Sequence, residues 1–224
     1  MVPRILIDTA TVPDGGELRL FRRGAEYSIM LGANELMNSR LSGSEEALAT
    51  LACDRLAGTA RPHVLIGGLG MGFTLRAALA GLGAEAVVTV AELVPAVIAW
   101  ARKPMAEIFA GCLDDPRVRI AAEDVASLIW SADGVYDAIL LDVDNGPDGL
   151  SRASNGRLYS ANGLAAARRA LRPGGILAIW SAAPDRAFTR RLGEAGFAVE
   201  EVVARGRAGG RGARHMIWLA AKPA

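Results

Sequence analysis

The sequence predicts an α/β fold: a Rossmann-like, seven-stranded, mostly parallel sheet with helices on both faces, preceded by a small N-terminal β region. Three observations predict it. The apolar run His63-Val-Leu-Ile-Gly67 enters a glycine-rich turn, Gly68-Leu-Gly70-Met-Gly72, and a helix-like segment follows. A second apolar run, Val87-Val-Thr-Val-Ala-Glu92, ends in a carboxylate, the layout of a βαβ nucleotide-binding unit. From residue 63 onward, strand-like and helix-like segments alternate to the end of the chain.

Taken in order, Glu17-Leu-Arg-Leu-Phe21 and Glu26-Tyr-Ser-Ile-Met-Leu31 are bounded by the turn signals Pro13-Asp-Gly-Gly16 and Arg22-Arg-Gly-Ala25, which predicts a small β-hairpin sheet. Residues 42–51 read as a helix, with Ser44 as N-cap and acids in the first turn that suit the helix dipole. Strands are expected at 63–67, 86–92, 117–121, 136–142, 175–181, 197–203 and 214–221. Helices are expected near 72–81, 94–109, 123–130, 160–171 and 184–195. The last two strands are joined by Ala204–Ala213, too short for a crossover helix, so the final strand should be antiparallel. The expected division is residues 1–60, a β-hairpin region plus helix, and 61–224, the nucleotide-binding body.

Composition narrows the function. Lys and Arg total 25 against 24 acids, a balance that draws the chain neither to nucleic acid nor to an anionic membrane. No apolar stretch reaches the roughly 18 residues of a membrane span, and no export signal opens the chain, so a soluble, cytoplasmic protein is expected. Cys53 and Cys112 lie in no metal-ligand spacing; they fit free thiols in a reducing compartment, or a single pair. No metal site is expected. His63 and His215 lack a paired nucleophile.

The glycine spacing selects the nucleotide. A dinucleotide loop reads G-x-G-x-x-G with a small third residue, but the third position here is Phe73 or Leu75, which disfavours NAD. Gly68-x-Gly70-x-Gly72 is instead the spacing found in S-adenosylmethionine-dependent methyltransferases and their relatives. Ligands of open α/β sheets bind beyond the carboxyl ends of strands, where Glu92, Asp124 and Asp142 fall. Glu92 can accept from both ribose hydroxyls. Asp124 can accept from an adenine amino group, cap the following helix, or do both. Gly67, Gly68, Gly70, Gly72, Leu93, Glu123 and Val125 complete the expected nucleoside seat. Asp142 and Asp144, in a loop that continues Asn145-Gly-Pro147, are placed to orient an acceptor and take its proton. Trp180 is either core or a pocket wall. Arg205, Arg207, Arg211 and Arg214 could meet an anion or an RNA phosphate, although a solvated hairpin tip explains them better, since no aromatic residues interleave them.

With these motifs the chain resembles the spermidine synthase (polyamine aminopropyltransferase) family over nearly its whole length. The resemblance runs through the glycine loop with Thr74-Leu-Arg76, Ala91-Glu92-Leu-Val-Pro95, Asp115-Pro-Arg-Val118, Glu123-Asp124, Tyr136-Asp-Ala-Ile-Leu-Leu-Asp142, Gly146-Pro147, Leu158-Tyr-Ser160 and Leu171-Arg-Pro-Gly-Gly175. It implies a class I methyltransferase-like fold, a bound sulfonium nucleoside and often a homodimer. It also implies Glu92 as the ribose acid, Asp124 as the adenine-contacting acid and Asp142 as the catalytic aspartate. Glu46, Asn145 and Tyr159 would face a small-molecule acceptor.

The departures shape the expected activity. The family's glycine loop carries an aspartate that holds the ammonium of the aminopropyl donor; Gly70 or Met71 stands there. The family's Asp-Ser-Ser-Asp-Pro becomes Asp142-Val-Asp-Asn-Gly146, and a tyrosine of the early helix falls near Ser44. Loss of anionic partners weakens a polycation site. Free N–H groups at the Gly70–Thr74 helix start could instead receive the carboxylate of intact S-adenosylmethionine. The expectation is therefore methyl transfer to a small molecule. The alternatives are aminopropyl transfer from decarboxylated S-adenosylmethionine and a non-catalytic nucleoside-binding protein.

Overall fold

The computed structural model describes residues 2–13, 15–143, 155–207 and 211–224. Four strands, β1 (Ile5–Thr11), β2 (Glu17–Arg23), β3 (Glu26–Leu31) and β4 (Asn34–Asn38), form an antiparallel sheet in chain order. The expected β2–β3 hairpin is its centre. β4 carries only two apolar residues, Leu36 and Met37, too few to show in the sequence pattern. Alternate residues Leu18, Leu20 and Ile29 turn inward onto the main body and are buried. Trp100 Nε1 donates to Asp8 Oδ2 at 2.7 Å and ties this sheet to the next layer.

Helix α1 (Gly43–Asp54) follows. Its N-cap is Ser42, which makes no side-chain cap bond; the expected cap, Ser44, lies inside the helix and is fully buried. The rest of the chain is the large sheet and its helices: β5 (His63–Gly67), α2 (Phe73–Gly81), β6 (Val87–Ala91), α3 (Pro95–Arg102), α4 (Ala106–Phe109), β7 (Val118–Ala121), α5 (Val125–Ser131), β8 (Tyr136–Leu141), α6 (Ala161–Ala170), β9 (Leu171–Ser181), α7 (Arg186–Glu194), β10 (Ala198–Arg207) and β11 (Arg211–Ala221). The helix expected over 94–109 is broken in two. Pro104 cannot donate a backbone N–H and drives Lys103 out of the helical region, to φ −122° and ψ −86°.

The strand order is β10-β11-β9-β8-β5-β6-β7, parallel except for β11, which runs antiparallel to both its neighbours. Strand residues alternate between two cores, as a sheet covered on both faces requires. Val64, Ile66, Val88, Val90, Ala138 and Leu140 pack with α1–α3 and the small sheet. Leu65, Ile139, Leu141, Leu177 and Ile179 pack with α5–α7. Strand order reverses between β5 and β8, so a crevice opens where these two strands end. Asp142 N donates to Gly67 O at 3.2 Å across that point. Among the described residues, no helix is long and apolar enough to cross a membrane.

Candidate functional site

The crevice has two lobes that meet at Gly70, Asp142 and the β4 residues Leu36 and Met37. The first is walled by Gly68, Glu92, Leu93, Asp124 and Val125, with Val12, Leu18 and Ile29 of the small sheet above. The second is walled by Glu45, Leu69, Met71, Gly72, Phe73 and Trp180.

The first lobe is shaped by a turn that only glycine fits. Gly68 has φ +86°, and a Cβ there would lie 2.8 Å from the carbonyl oxygen of Asp142. Gly72 has φ +78°, and a Cβ would lie 2.5 Å from the Phe109 ring. Glu92, 8% exposed, holds this turn: one carboxylate oxygen accepts from Leu69 N at 3.1 Å and the other from Val94 N at 2.8 Å. An ionised carboxylate offers about four acceptor positions, the kind of group that can meet ligand hydroxyls as well as backbone N–H groups. Asp124 does cap α5, accepting from Ala126 N at 2.8 Å, and still lines the lobe.

The second lobe is charged differently. Asp142, half-buried just beyond the end of β8, accepts from Thr74 Oγ1 at 2.7 Å. Burial pushes its pKa up to about 7, the negative charge of Glu45 adds to the rise, and the Thr74 hydrogen bond opposes it. The carboxyl of Glu45 is likewise pushed up by burial, while its bond from Ser44 opposes. Ser44 Oγ donates to Glu45 Oε2 at 2.8 Å and lies 2.8 Å from His215 Nδ1. Trp180 is a pocket wall here, its ring 4.9 Å from that of His215.

Several expected residues are placed elsewhere. Glu46 is kept out of the second lobe by its helical phase: it lines a shallow groove with Thr50, Cys53 and Arg76, and its neighbour Glu45 faces the lobe instead. Glu123 is exposed and lies beside Tyr136, whose pKa its charge helps to raise after burial, rather than in the crevice. Gly67 packs against Leu141 and Val125 as the end of β5. Tyr159 is buried below the crevice, its hydroxyl 3.5 Å from Val143 O and its ring edge-on to Phe188. Asp144 and Asn145 lie outside the described residues. Arg205 and Arg214 are exposed across the β10–β11 pair, as a solvated hairpin would have them. Both cysteines are free and buried, their thiols pushed up to about 11 chiefly by burial. Glu45, Met37 and Leu36 are the site residues that sequence reasoning missed.

Comparison with known proteins decides the family. A spermine/spermidine synthase domain profile matches residues 46–185, well over half of the chain. The chain belongs to the spermine/spermidine synthase family. Among curated proteins it is 38% identical over 149 residues to a polyamine aminopropyltransferase of Mycobacterium tuberculosis, covering 62% of this chain and 27% of that one. It is 37% identical over 127 residues to polyamine aminopropyltransferase 1 of Streptomyces coelicolor, covering 55% of this chain and 23% of the relative. This family member thus spans about a quarter of the length of these relatives. Its fold matches the spermidine synthase of Thermotoga maritima with a TM-score of 0.76 at 19% identity, over 97% of this chain and 72% of that one. A spermidine synthase in complex with the transition-state analogue AdoDATO gives 0.75 at 20% identity, with the same coverage.

These relatives overturn the expectation of methyl transfer. That expectation rested on a lost carboxylate beside the glycine loop and on free helix-start N–H groups. In the structure, Asp142 and Glu45 bring two carboxyls to the lobe that adjoins Gly70. A donor bearing its own carboxylate would meet like charge there, whereas a donor bearing only an ammonium would not.

Proposed function

We propose that this chain is an aminopropyltransferase domain that moves an aminopropyl group from decarboxylated S-adenosylmethionine to an amine. The observation that carries the reading is the charge of the second lobe. Two carboxyls, Asp142 and Glu45, share it with apolar and aromatic walls, and no described residue lining it is a cation. Such a lobe suits ammonium groups joined by short aliphatic chains.

In this reading Gly68, Gly70, Leu93 and Val125 seat the nucleoside, Glu92 takes the ribose hydroxyls and Asp124 the adenine amino group. Asp142, at the junction of the lobes, takes a proton from the acceptor ammonium. The freed nitrogen lone pair attacks the aminopropyl carbon next to sulfur. The carbon–sulfur bond breaks, its electron pair stays on sulfur, and a neutral thioether leaves. The pKa of about 7 suits a base at neutral pH. Most of the acceleration comes from holding nitrogen, carbon and sulfur in line.

The test is direct. The purified protein is incubated with decarboxylated S-adenosylmethionine and a series of aliphatic diamines, and products are read by mass spectrometry. An aminopropylated amine and an equal amount of thioether nucleoside are expected. Absence of both with every diamine, under conditions where the donor binds, would overturn the reading.

A further inference from the structure

We propose that His215 is a positioning residue that acts through the Ser44 hydroxyl to hold Glu45 as the amine-receiving carboxylate of the second lobe. The inference rests on the aminopropyltransferase reading and extends it to groups drawn from both ends of the chain. Ser44 and His215 lie 171 residues apart, yet Ser44 Oγ is 2.8 Å from His215 Nδ1 and 2.8 Å from Glu45 Oε2. Ser44 is fully buried, so neither contact is replaced by bulk water.

The donor inventory fixes the direction of the chain. A hydroxyl has one proton to give, and ionised Glu45 can only accept, so Ser44 donates to Glu45. His215 must then carry its proton on Nδ1 and donate to Ser44. Two successive donors aimed at one carboxylate favour its ionised form against the burial that disfavours it. The surroundings leave this task to His215. Thr74 of α2 serves Asp142, Asp142 just beyond β8 and Glu46 of α1 are themselves acids, and the β9 ring in contact with His215 is the uncharged indole of Trp180. On the β10 side His215 pairs with Ala204, and Gly206 is the residue whose added Cβ would lie 3.2 Å from the imidazole Cε1. The ring contact with Trp180 lies on the other flank of His215.

The test compares Ser44→Ala, His215→Leu and His215→Asn with Glu45→Gln, measuring kcat, acceptor KM and the pH dependence of kcat/KM with a diamine acceptor. Ser44→Ala and His215→Leu are expected to raise acceptor KM about tenfold, leave kcat within about threefold, and move the acid limb of the profile to higher pH. His215→Asn, which keeps an N–H donor near the Nδ1 position, should restore most of the loss. Unchanged KM and pH profile in Ser44→Ala and His215→Leu, while Glu45→Gln still raises KM, would overturn the role of His215 alone. Unchanged KM in Glu45→Gln as well would instead remove the amine-receiving role of this lobe. A measurement on the wild-type protein needs no variant: nitrogen NMR of its two histidines should show His215 as the Nδ1–H tautomer. An Nε2–H tautomer would overturn the proposal.

Discussion

The two lobes of the crevice hold their acids in opposite ways. In the proposed nucleoside lobe, Glu92 and Asp124 accept from backbone N–H groups, Glu92 from the glycine turn and from Val94, Asp124 from the helix that it caps, and so they shape the protein itself. In the proposed acceptor lobe, Asp142 and Glu45 accept from side-chain hydroxyls, those of Thr74 and Ser44, and oppose one another, with pKa values raised by burial. The first arrangement makes a rigid seat. The second keeps charge in a poised, energetically costly form that an ammonium would relieve, as the proposed amine site requires.

The sharpest way to break this contrast is Asp142→Asn. Loss of the base should lower kcat by about a thousandfold, with donor affinity within about threefold of wild type, read by steady-state kinetics and calorimetry. The same variant should be more stable than wild type in alkaline solution. The folded-state pKa of Asp142 lies above that of an unfolded aspartate, so its contribution to stability is fully present below the ordinary carboxylate value and is lost as pH rises through about 7. Asparagine never ionises, so the melting-temperature gain should be small near pH 5 and on the order of 5 °C at pH 8.5. An equal gain at both pH values would contradict the burial of a charged group here.

Glu92→Ala should act on the other lobe and in the other direction. It removes the acceptor for Leu69 N and Val94 N, so donor affinity should fall about a hundredfold and the melting temperature should fall as well. Glu45→Gln should raise acceptor KM about tenfold with donor affinity unchanged, while Glu46→Gln, whose side chain lies in a separate groove, should do neither. The smallest effect is the pH profile of the wild type: kcat/KM should rise toward a plateau as pH passes about 7, because the ionised form of Asp142 is the base.

The same contrast explains what could be read from the chain. The nucleoside lobe is local in sequence: the glycine turn and Glu92 are separated by one helix, and their spacing alone announces a βαβ crevice. Asp142 was legible because a buried strand ends on it. Glu45 was not, since choosing it over Glu46 needs the rotation of α1, and the helix begins at Gly43, behind a different cap residue from the one expected. The walls Leu36 and Met37 come from a short, polar strand with no period to betray it, and the Ser44–His215 contact joins residues far apart in the chain. Chemistry gathered from several elements leaves no spacing to find, and for that reason the missing aspartate of the glycine loop suggested the wrong transfer.

The choice of donor tests the central claim most directly. Titration calorimetry with decarboxylated and intact S-adenosylmethionine should show the decarboxylated compound binding at least about tenfold more tightly, since the negative charge of Asp142 and Glu45 disfavours the carboxylate that only the intact compound carries. Equal or tighter binding of intact S-adenosylmethionine would contradict the account.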